Sequence, residues 1–148
     1  MLAGLMLLLS VSCSLGRPPA AVTGVEIAHV RVPVAQPGLA RVLHSELAGA
    51  LAHRGVGPGS VPIEVEVLDA STRVIAVDGA ERIISARLEI KLIMHGARPR
   101  NTRLSAEYPY SVAIENRDEG AMARQLAFEN LGRRLAQESA DWILYAGH

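Results

Sequence analysis

The chain of 148 residues is long enough for one domain and too short for two domains of ordinary size. The chain has 15 basic residues (lysine and arginine) and 15 acidic residues (aspartate and glutamate). This balance excludes the basic excess that is typical of nucleic-acid-binding proteins. Hydrophobic residues make up 49% of the chain but aromatic residues only 3%, so we expect a globular domain with an aliphatic core.

The chain begins with an apolar run, MLAGLMLLLSV, from Met1 to Val11. This run is shorter than the ~20 apolar residues that span a bilayer, and it has the length of the hydrophobic core of a signal peptide. Residues 1–12 are therefore predicted to be a signal peptide. A buried N-terminal helix is the alternative.

Cys13 is the only cysteine, so it cannot form an internal disulfide or a paired-cysteine metal site. The segment LSVSC, which ends at Cys13, resembles a bacterial lipobox, in which the cysteine receives diacylglycerol and signal peptidase cleaves before it. It departs from the usual pattern at Ser10, where leucine is common, and no basic residue precedes the apolar run. The resemblance implies that Cys13 is lipidated and that residues 13–23 form a tether. Ser14 after the cysteine resembles the signal that sorts lipoproteins to the outer membrane.

Residues 24–148 are predicted to form one domain, which opens with a strand over Val25–Val34, rich in β-branched residues. A helix is expected to start at Pro37, because the missing amide hydrogen of proline is harmless in the first turn. Apolar residues then recur at helical spacing, and Gly55 is expected to end this helix. The apolar positions are Leu39, Val42, Leu43, Leu47, Ala50 and Leu51.

Three further strands are predicted in the middle of the chain, over residues 61–69, 81–95 and, approximately, 102–112. The second has strict alternation, which indicates one buried and one solvated face and is typical of antiparallel sheets. Its apolar face is Ile84, Ala86, Leu88, Ile90, Leu92 and Met94. Asp78-Gly79 stands between residues 74–77 and this strand and is typical of a hairpin turn.

The last element is a predicted helix over residues 118–145, with Asp118 and Glu119 at its positive N-terminal end. Its predicted apolar stripe is Ala123, Leu126, Ala127, Leu131, Leu135 and Trp142. The element order β-α-β-β-β-α predicts an α+β fold: a two-layer sandwich with a mostly antiparallel four-stranded sheet covered by two helices. The first helix connects two strands, so one strand pair can be parallel.

No catalytic or metal-binding motif is present in the sequence. The five histidines show neither HxxxH nor HExxH spacing, and the nucleophile turn GxSxG and the phosphate-binding glycine patterns are absent. The glycine-rich segment GVGPGS follows a helix, and Glu64 and Glu66 lie on the predicted wet face of a strand. We therefore expect no enzymatic activity, no cofactor and no metal.

Basic residues cluster in the segment HGARPRNTR, which carries Arg98, Arg100 and Arg103, next to Arg87 and Lys91 on the polar face of the preceding strand. Arginine forks bind phosphate and carboxylate groups through two-point contacts. The cluster is therefore a candidate contact for an anionic lipid head group. An ordinary solvated turn is the simpler interpretation.

The pattern as a whole resembles the lipopolysaccharide-assembly lipoprotein family. The shared features are the lipobox-like segment ending at Cys13, the strand-proline-helix opening HVRVPVAQPGLARVLHSELAGAL, the alternating strand RIISARLEIKLIM, a strand bearing Tyr108 and Tyr110, and a closing helix with regularly spaced leucines. The resemblance implies a non-enzymatic subunit that is lipid-anchored in the outer membrane, faces the periplasm, sits inside an outer-membrane β-barrel protein and contacts lipopolysaccharide. No binding residue carries over from the family by motif.

Three other functions remain open on the sequence. The chain can be a lipoprotein scaffold of another envelope complex, such as a secretion system, a motor ring or a lipid-transport complex. It can be a periplasmic module that binds a small ligand in an apolar pocket. A hydrolase would need a nucleophile and a base in contact, and no such pair is visible in the sequence.

Overall fold

The computed structural model describes residues 22–32, 37–76, 80–112 and 117–146. The predicted signal peptide, residues 1–12, and most of the predicted tether lie outside these residues. The described elements are β1 (Gly24–Arg31), α1 (Pro37–His53), β2 (Gly57–Pro58), β3 (Val61–Val74), β4 (Glu81–Leu92), β5 (Arg100–Ser111) and α2 (Arg117–Ala146).

The antiparallel part of the sheet consists of β3, β4 and β5, which pair in sequence order. The alternation of apolar and polar residues decides which face of each strand is buried, because successive side chains of a strand point to opposite sides. The alternating apolar residues of β4 from Ile84 to Leu92 are all at most 1% exposed. The polar residues between them lie on the opposite, solvated face. The predicted buried face is thus confirmed from Ile84 to Leu92, whereas Met94, predicted on the same face, lies beyond the strand and is partly buried.

The sheet has five strands in the order β2-β1-β3-β4-β5 and is mixed, so the prediction of a four-stranded sheet is wrong. β1 pairs with β3 in parallel, as the helical connection between them allowed. The additional strand is β2, which pairs with β1 through only two residues, Gly57 and Pro58. Next to it, a Cβ atom on Gly59 would lie 2.4 Å from the Gly24 backbone, so glycine is required there. A glycine-proline sequence that is typical of a turn thus forms a strand.

The strand bounds also differ from the prediction. Val61–Val74 is one strand of 14 residues rather than a strand and a separate hairpin arm, with an irregularity between Val67 and Asp69. The bulged residue, Leu68, is 40% exposed. β4 ends at Leu92, three residues before the predicted end, and Gly96 takes a positive φ of 75° in the turn that follows.

Both helices cover the apolar face of the sheet and enclose an aliphatic core, as the composition predicts. They run in the same direction, because the contacts between them advance along both: Val42 with Gly132, Glu46 with Arg133 and Arg54 with Asp141. The helices approach each other closely at Gly132, where a Cβ atom would lie 2.7 Å from Val42 Cγ1. The largest fully buried core residues are Leu43, Leu47, Leu51, Ile63, Ile84, Leu88, Ile90, Leu92, Leu131, Leu135 and Ile143.

The helix ends agree with the prediction, but the apolar stripe of α2 does not entirely. α1 ends at His53, and Gly55 follows with φ 79°. In α2 the buried stripe begins at Ala127, whereas Leu126 is 55% exposed. The reason is that α1 begins opposite residues 125–132 of α2 and does not flank the turns before them. Within the described residues, neither helix is long and apolar enough to cross a membrane.

Candidate functional site

Of the five basic residues that the sequence groups together, the fold keeps three on one face of the sheet and places the other two elsewhere. Arg87, Lys91 and Arg103 lie on the outer face of the sheet, which the helices do not cover. Each is paired with a carboxylate of a neighbouring strand. Arg87 Nε donates to Asp69 Oδ2 at 2.7 Å, Lys91 Nζ lies 3.8 Å from Glu64 Oε2, and Arg103 Nε lies 3.6 Å from Glu89 Oε1.

Arg100 and Arg98 lie elsewhere. Arg100 is on the inner face of β5, and its guanidinium donates a hydrogen bond to the carbonyl of Ala146 at the end of α2. This contact satisfies a carbonyl that lacks a partner within the helix and places a positive charge at the negative helix end. Arg98 is exposed in the loop between β4 and β5, and it alone of the five makes no hydrogen bond or ion pair with the described part of the chain.

The outer face of the sheet therefore carries both signs of charge in alternation. Its acidic residues are Glu26, Glu64, Glu66, Asp69, Glu89 and Glu107, and its basic residues include Arg73, Arg87, Lys91 and Arg103. The hydrogen bond and the charge of Asp69 raise the pKa of Arg87 above its ordinary value. A mixed face of this kind is hydrophilic without a strong net field.

The two ends of the molecule differ in character. At one end, the proximal end, the chain enters β1 at Gly24, β4 turns into β5, and α2 finishes at Ala146. At the other, the distal end, β3 finishes opposite Arg82, and α2 begins beside the end of β5, where a Cβ on Gly120 would lie 2.9 Å from Val112 Cγ1.

Most of the large hydrophobic side chains that are exposed in the described chain belong to the distal end. We call them the distal patch: Val74 (53% exposed), Ile75 (46%), Met122 (67%) and Leu126 (55%). The topology explains this exposure, because β1 pairs with β3 only as far as Glu66 and α1 does not reach the first turns of α2. Exposed apolar patches on a soluble surface commonly mark contacts with a partner or a ligand.

A cavity of about 480 Å³ opens between the helices next to this patch. Such a volume lies within the range of small-molecule pockets, about 300–1,000 Å³. Arg124 lies 5.6 Å above the centre of the Phe128 ring at its border. The cavity is lined by Gly38, Leu39, Arg41, Val42, Ser45, Gln125, Phe128 and Glu129. Met122 and Leu126 share a helix face with Gln125 and Glu129, so these two residues of the distal patch border the cavity.

The described residues contain no arrangement that suggests metal binding. No group of three histidine, cysteine, aspartate or glutamate side chains is placed to hold a metal ion in residues 22–32, 37–76, 80–112 or 117–146. Glu64 faces Lys91 on the wet side of the sheet, and the glycine-rich segment after α1 provides β2. The sequence singled out the charged residues but missed the distal patch, since Leu126 fits the helical stripe and Val74 reads as a hairpin arm.

No family model matches the sequence, and neither does any curated protein. The fold does match solved structures. A minor lipoprotein from Acinetobacter baumannii is similar with a TM-score of 0.63 and 13% identity, over 86% of this chain and 95% of that one.

Two further solved structures share the fold. A candidate lipoprotein from Caulobacter crescentus has a TM-score of 0.60 and 17% identity, over 80% of this chain and 89% of its own. A DUF330 protein from Xanthomonas campestris has a TM-score of 0.64 and 14% identity, over 89% of this chain and 90% of its own. At these identities the likeness establishes the fold, which this chain shares with proteins described as lipoproteins.

Proposed function

We propose that this protein is a non-enzymatic envelope lipoprotein, anchored to a membrane through Cys13, that binds a partner protein with its distal end. The observation that carries the proposal is the placement of the distal patch opposite the end where the chain enters the fold at Gly24. A lipid on Cys13 would hold the proximal end near the bilayer and present Met122 and Leu126 away from it. The fold shared with described lipoproteins supports the anchor.

The proposed partner is an outer-membrane β-barrel, and the proposed process is the transport of lipopolysaccharide. The resemblance of the element order to the lipopolysaccharide-assembly lipoproteins supports this choice. The hydrophilic outer face of the sheet supports it too, because the interior of a large membrane barrel is polar. The protein would then lie on the periplasmic side of the outer membrane.

Contact with an anionic lipid head group is part of the same proposal. Arg98 is the best placed of the five basic residues, because it is exposed at the proximal end and unpaired within the described chain. Arg87, Lys91 and Arg103 are already engaged by carboxylates, and Arg100 by a helix end. We expect Arg98 to contribute more to such a contact than the others.

A second candidate function is a subunit of a lipid-transport complex, and the cavity between the helices favours it. Leu39, Val42 and Phe128 provide an apolar lining, and Arg41 and Glu129 provide polar groups at its edge. This combination suits an amphiphilic ligand. The same cavity would serve a periplasmic ligand-binding module.

The test is to purify the native protein from membranes in mild detergent and identify the proteins that accompany it by mass spectrometry. We expect a barrel of lipopolysaccharide transport, and we expect the double variant Met122→Asp, Leu126→Asp to lose it. Tyr145→Asp is the matched control, because Tyr145 is 74% exposed on the same helix but at the proximal end. Equal recovery of the partner by both variants would contradict the role of the distal patch, and recovery of a lipid-transport complex instead would favour the second candidate.

A further inference from the structure

β5 is the last strand of the described sheet, and we call its side away from β4 the open edge. β5 pairs with β4 along one side, and within the described ranges no strand pairs with its other side. Beyond the end of the strand, the Val112 amide donates to the Ala80 carbonyl at 2.7 Å. Because backbone groups of alternate residues point to opposite sides of a strand, the even-numbered residues of β5 bond to β4. The odd-numbered residues direct their amides and carbonyls to the open edge.

Two independent observations agree with this assignment. Pro109 is odd-numbered, and proline is tolerated in a sheet where its nitrogen faces an open edge. Arg134 of α2 donates to the carbonyl of Glu107, also odd-numbered, across 3.5 Å, so this carbonyl points outward. A carbonyl has two lone pairs and can accept a second hydrogen bond.

We propose that this edge pairs with the same edge of a second copy of the chain, antiparallel, about a two-fold axis at Ser105. In this register Arg103 of each copy lies opposite Glu107 of the other, on the solvated face. Arg103 is 74% exposed, and within the described residues its single ion pair is the 3.6 Å contact with Glu89, which it can exchange or share. Opposite charges in directly facing positions of two strands stabilise their pairing.

The charges select this register over its neighbours. An axis at Arg103 would place two arginines opposite each other, and an axis at Glu107 would oppose two glutamates, which destabilises pairing. With the axis at Ser105, Leu104 faces Ala106 of the second copy on the inner face. The amides of Asn101, Arg103, Ser105 and Glu107 on each strand all face a carbonyl of the other.

Cross-linking of the full-length chain with Cys13→Ala, in mild detergent, tests the proposal. Ser105→Cys would place two thiols at facing positions, about 5.5 Å apart between Cα atoms, within disulfide range. We expect a disulfide dimer on mild oxidation. Ser111→Cys is the control: it lies on the same edge, but its counterpart would be ~40 Å away at about 3.4 Å per residue. The proposal is overturned if Ser105→Cys forms no dimer, which would mean that Pro109 and the edge charges keep the edge unpaired. It is also overturned if both variants form the dimer in equal amounts.

A charge exchange tests the register. In the Ser105→Cys background we expect Arg103→Glu, and separately Glu107→Arg, to lower the dimer yield about tenfold, because each opposes like charges twice across the axis. The double variant Arg103→Glu, Glu107→Arg should restore the yield. Circular dichroism checks that each variant is folded. The Ser105 register is contradicted if neither single substitution lowers the dimer yield, or if the double variant does not restore it. This outcome does not depend on which partner binds the distal end.

Discussion

At the scale of single residues, the fold depends on which face of a strand or helix a side chain occupies. Leu88 is fully buried and Arg87, its neighbour in the chain, lies on the solvated face with Asp69. The ion pairs of the outer face are exposed to water, which screens their attraction, so each contributes little to the free energy of folding. The buried aliphatic side chains therefore account for far more of the stability than these charged pairs do.

Leu88→Asp should unfold the domain, because it places an unpaired carboxylate in the core, at a cost of several kcal/mol against a total stability of about 5–15 kcal/mol. Loss of the cooperative thermal transition by circular dichroism is the expected result. The control is Leu68→Asp, the same substitution at a bulge residue that is 40% exposed, which should melt close to the parent. A native-like Leu88→Asp protein would mean that the faces of β4 are inverted.

Arg100→Ala should lower the free energy of unfolding by about 1 kcal/mol, because it removes the hydrogen bond to the last turn of α2 and the favourable charge there. Urea denaturation measures the change. Arg98→Ala, in the loop two residues away, should leave the midpoint unchanged. The opposite ranking of the two variants would show that Arg100 does not cap the helix.

At the scale of elements, the packing of α1 against α2 depends on a glycine. Gly132 is buried where the helices approach each other closely, against Val42 and Leu39. Helix periodicity places it on the inner side of α2, but the sequence does not show that only a hydrogen fits there. Val42 and Leu39, which pack against this glycine, also line the cavity between the helices.

Gly132→Val should destabilise the protein by about 1–3 kcal/mol, the usual cost of overpacking, because even its Cβ would lie 2.7 Å from Val42 Cγ1. Gly49→Ala, in α1, is the contrasting change: its Cβ meets nothing within 4 Å, so it should stabilise by roughly 0.5–1 kcal/mol through helix propensity. Thermal melts of the two variants should shift in opposite directions. A neutral Gly132→Val would mean that the helices separate freely.

At the scale of the whole molecule, the start of the described chain and the distal patch lie at opposite ends of one body. Cys13 precedes the first described residue, Val22, by nine positions, and a chain spans at most about 3.3–3.6 Å per residue. The proximal end would therefore stay within about 30 Å of a lipid on Cys13. The distal patch, the proposed partner-binding surface, would then face away from the membrane.

Cys13→Ala should release the protein from the membrane fraction, because it removes the thiol that would carry the anchoring acyl chain. Cell fractionation measures the release, and mass spectrometry of the parent protein should find an acylated N-terminal cysteine. Unchanged membrane retention, or an unmodified Cys13 within a longer mature chain, would contradict lipidation.

Local patterns in the sequence predict most of the elements and their buried faces. The alternation of β4, the helical spacing in α1 and the stop at Gly55 suffice, because hydrophobic periodicity depends on residues close together in the chain. They also predict the α+β class and allow the parallel pair. The sequence alone marks Cys13 as the candidate anchor, and no described part of the structure bears on it.

Contacts between residues far apart in the chain decided the rest. Gly57–Pro58 became a strand because β1 offers it a backbone partner, and Leu126 stayed exposed because α1 starts too late to cover it. Arg100 parted from Arg87, Lys91 and Arg103 because strand alternation places it on the inner face, where it bonds to the end of α2. The distal patch and the open edge of β5 likewise follow from where elements stop, and that depends on pairing and packing rather than on local pattern.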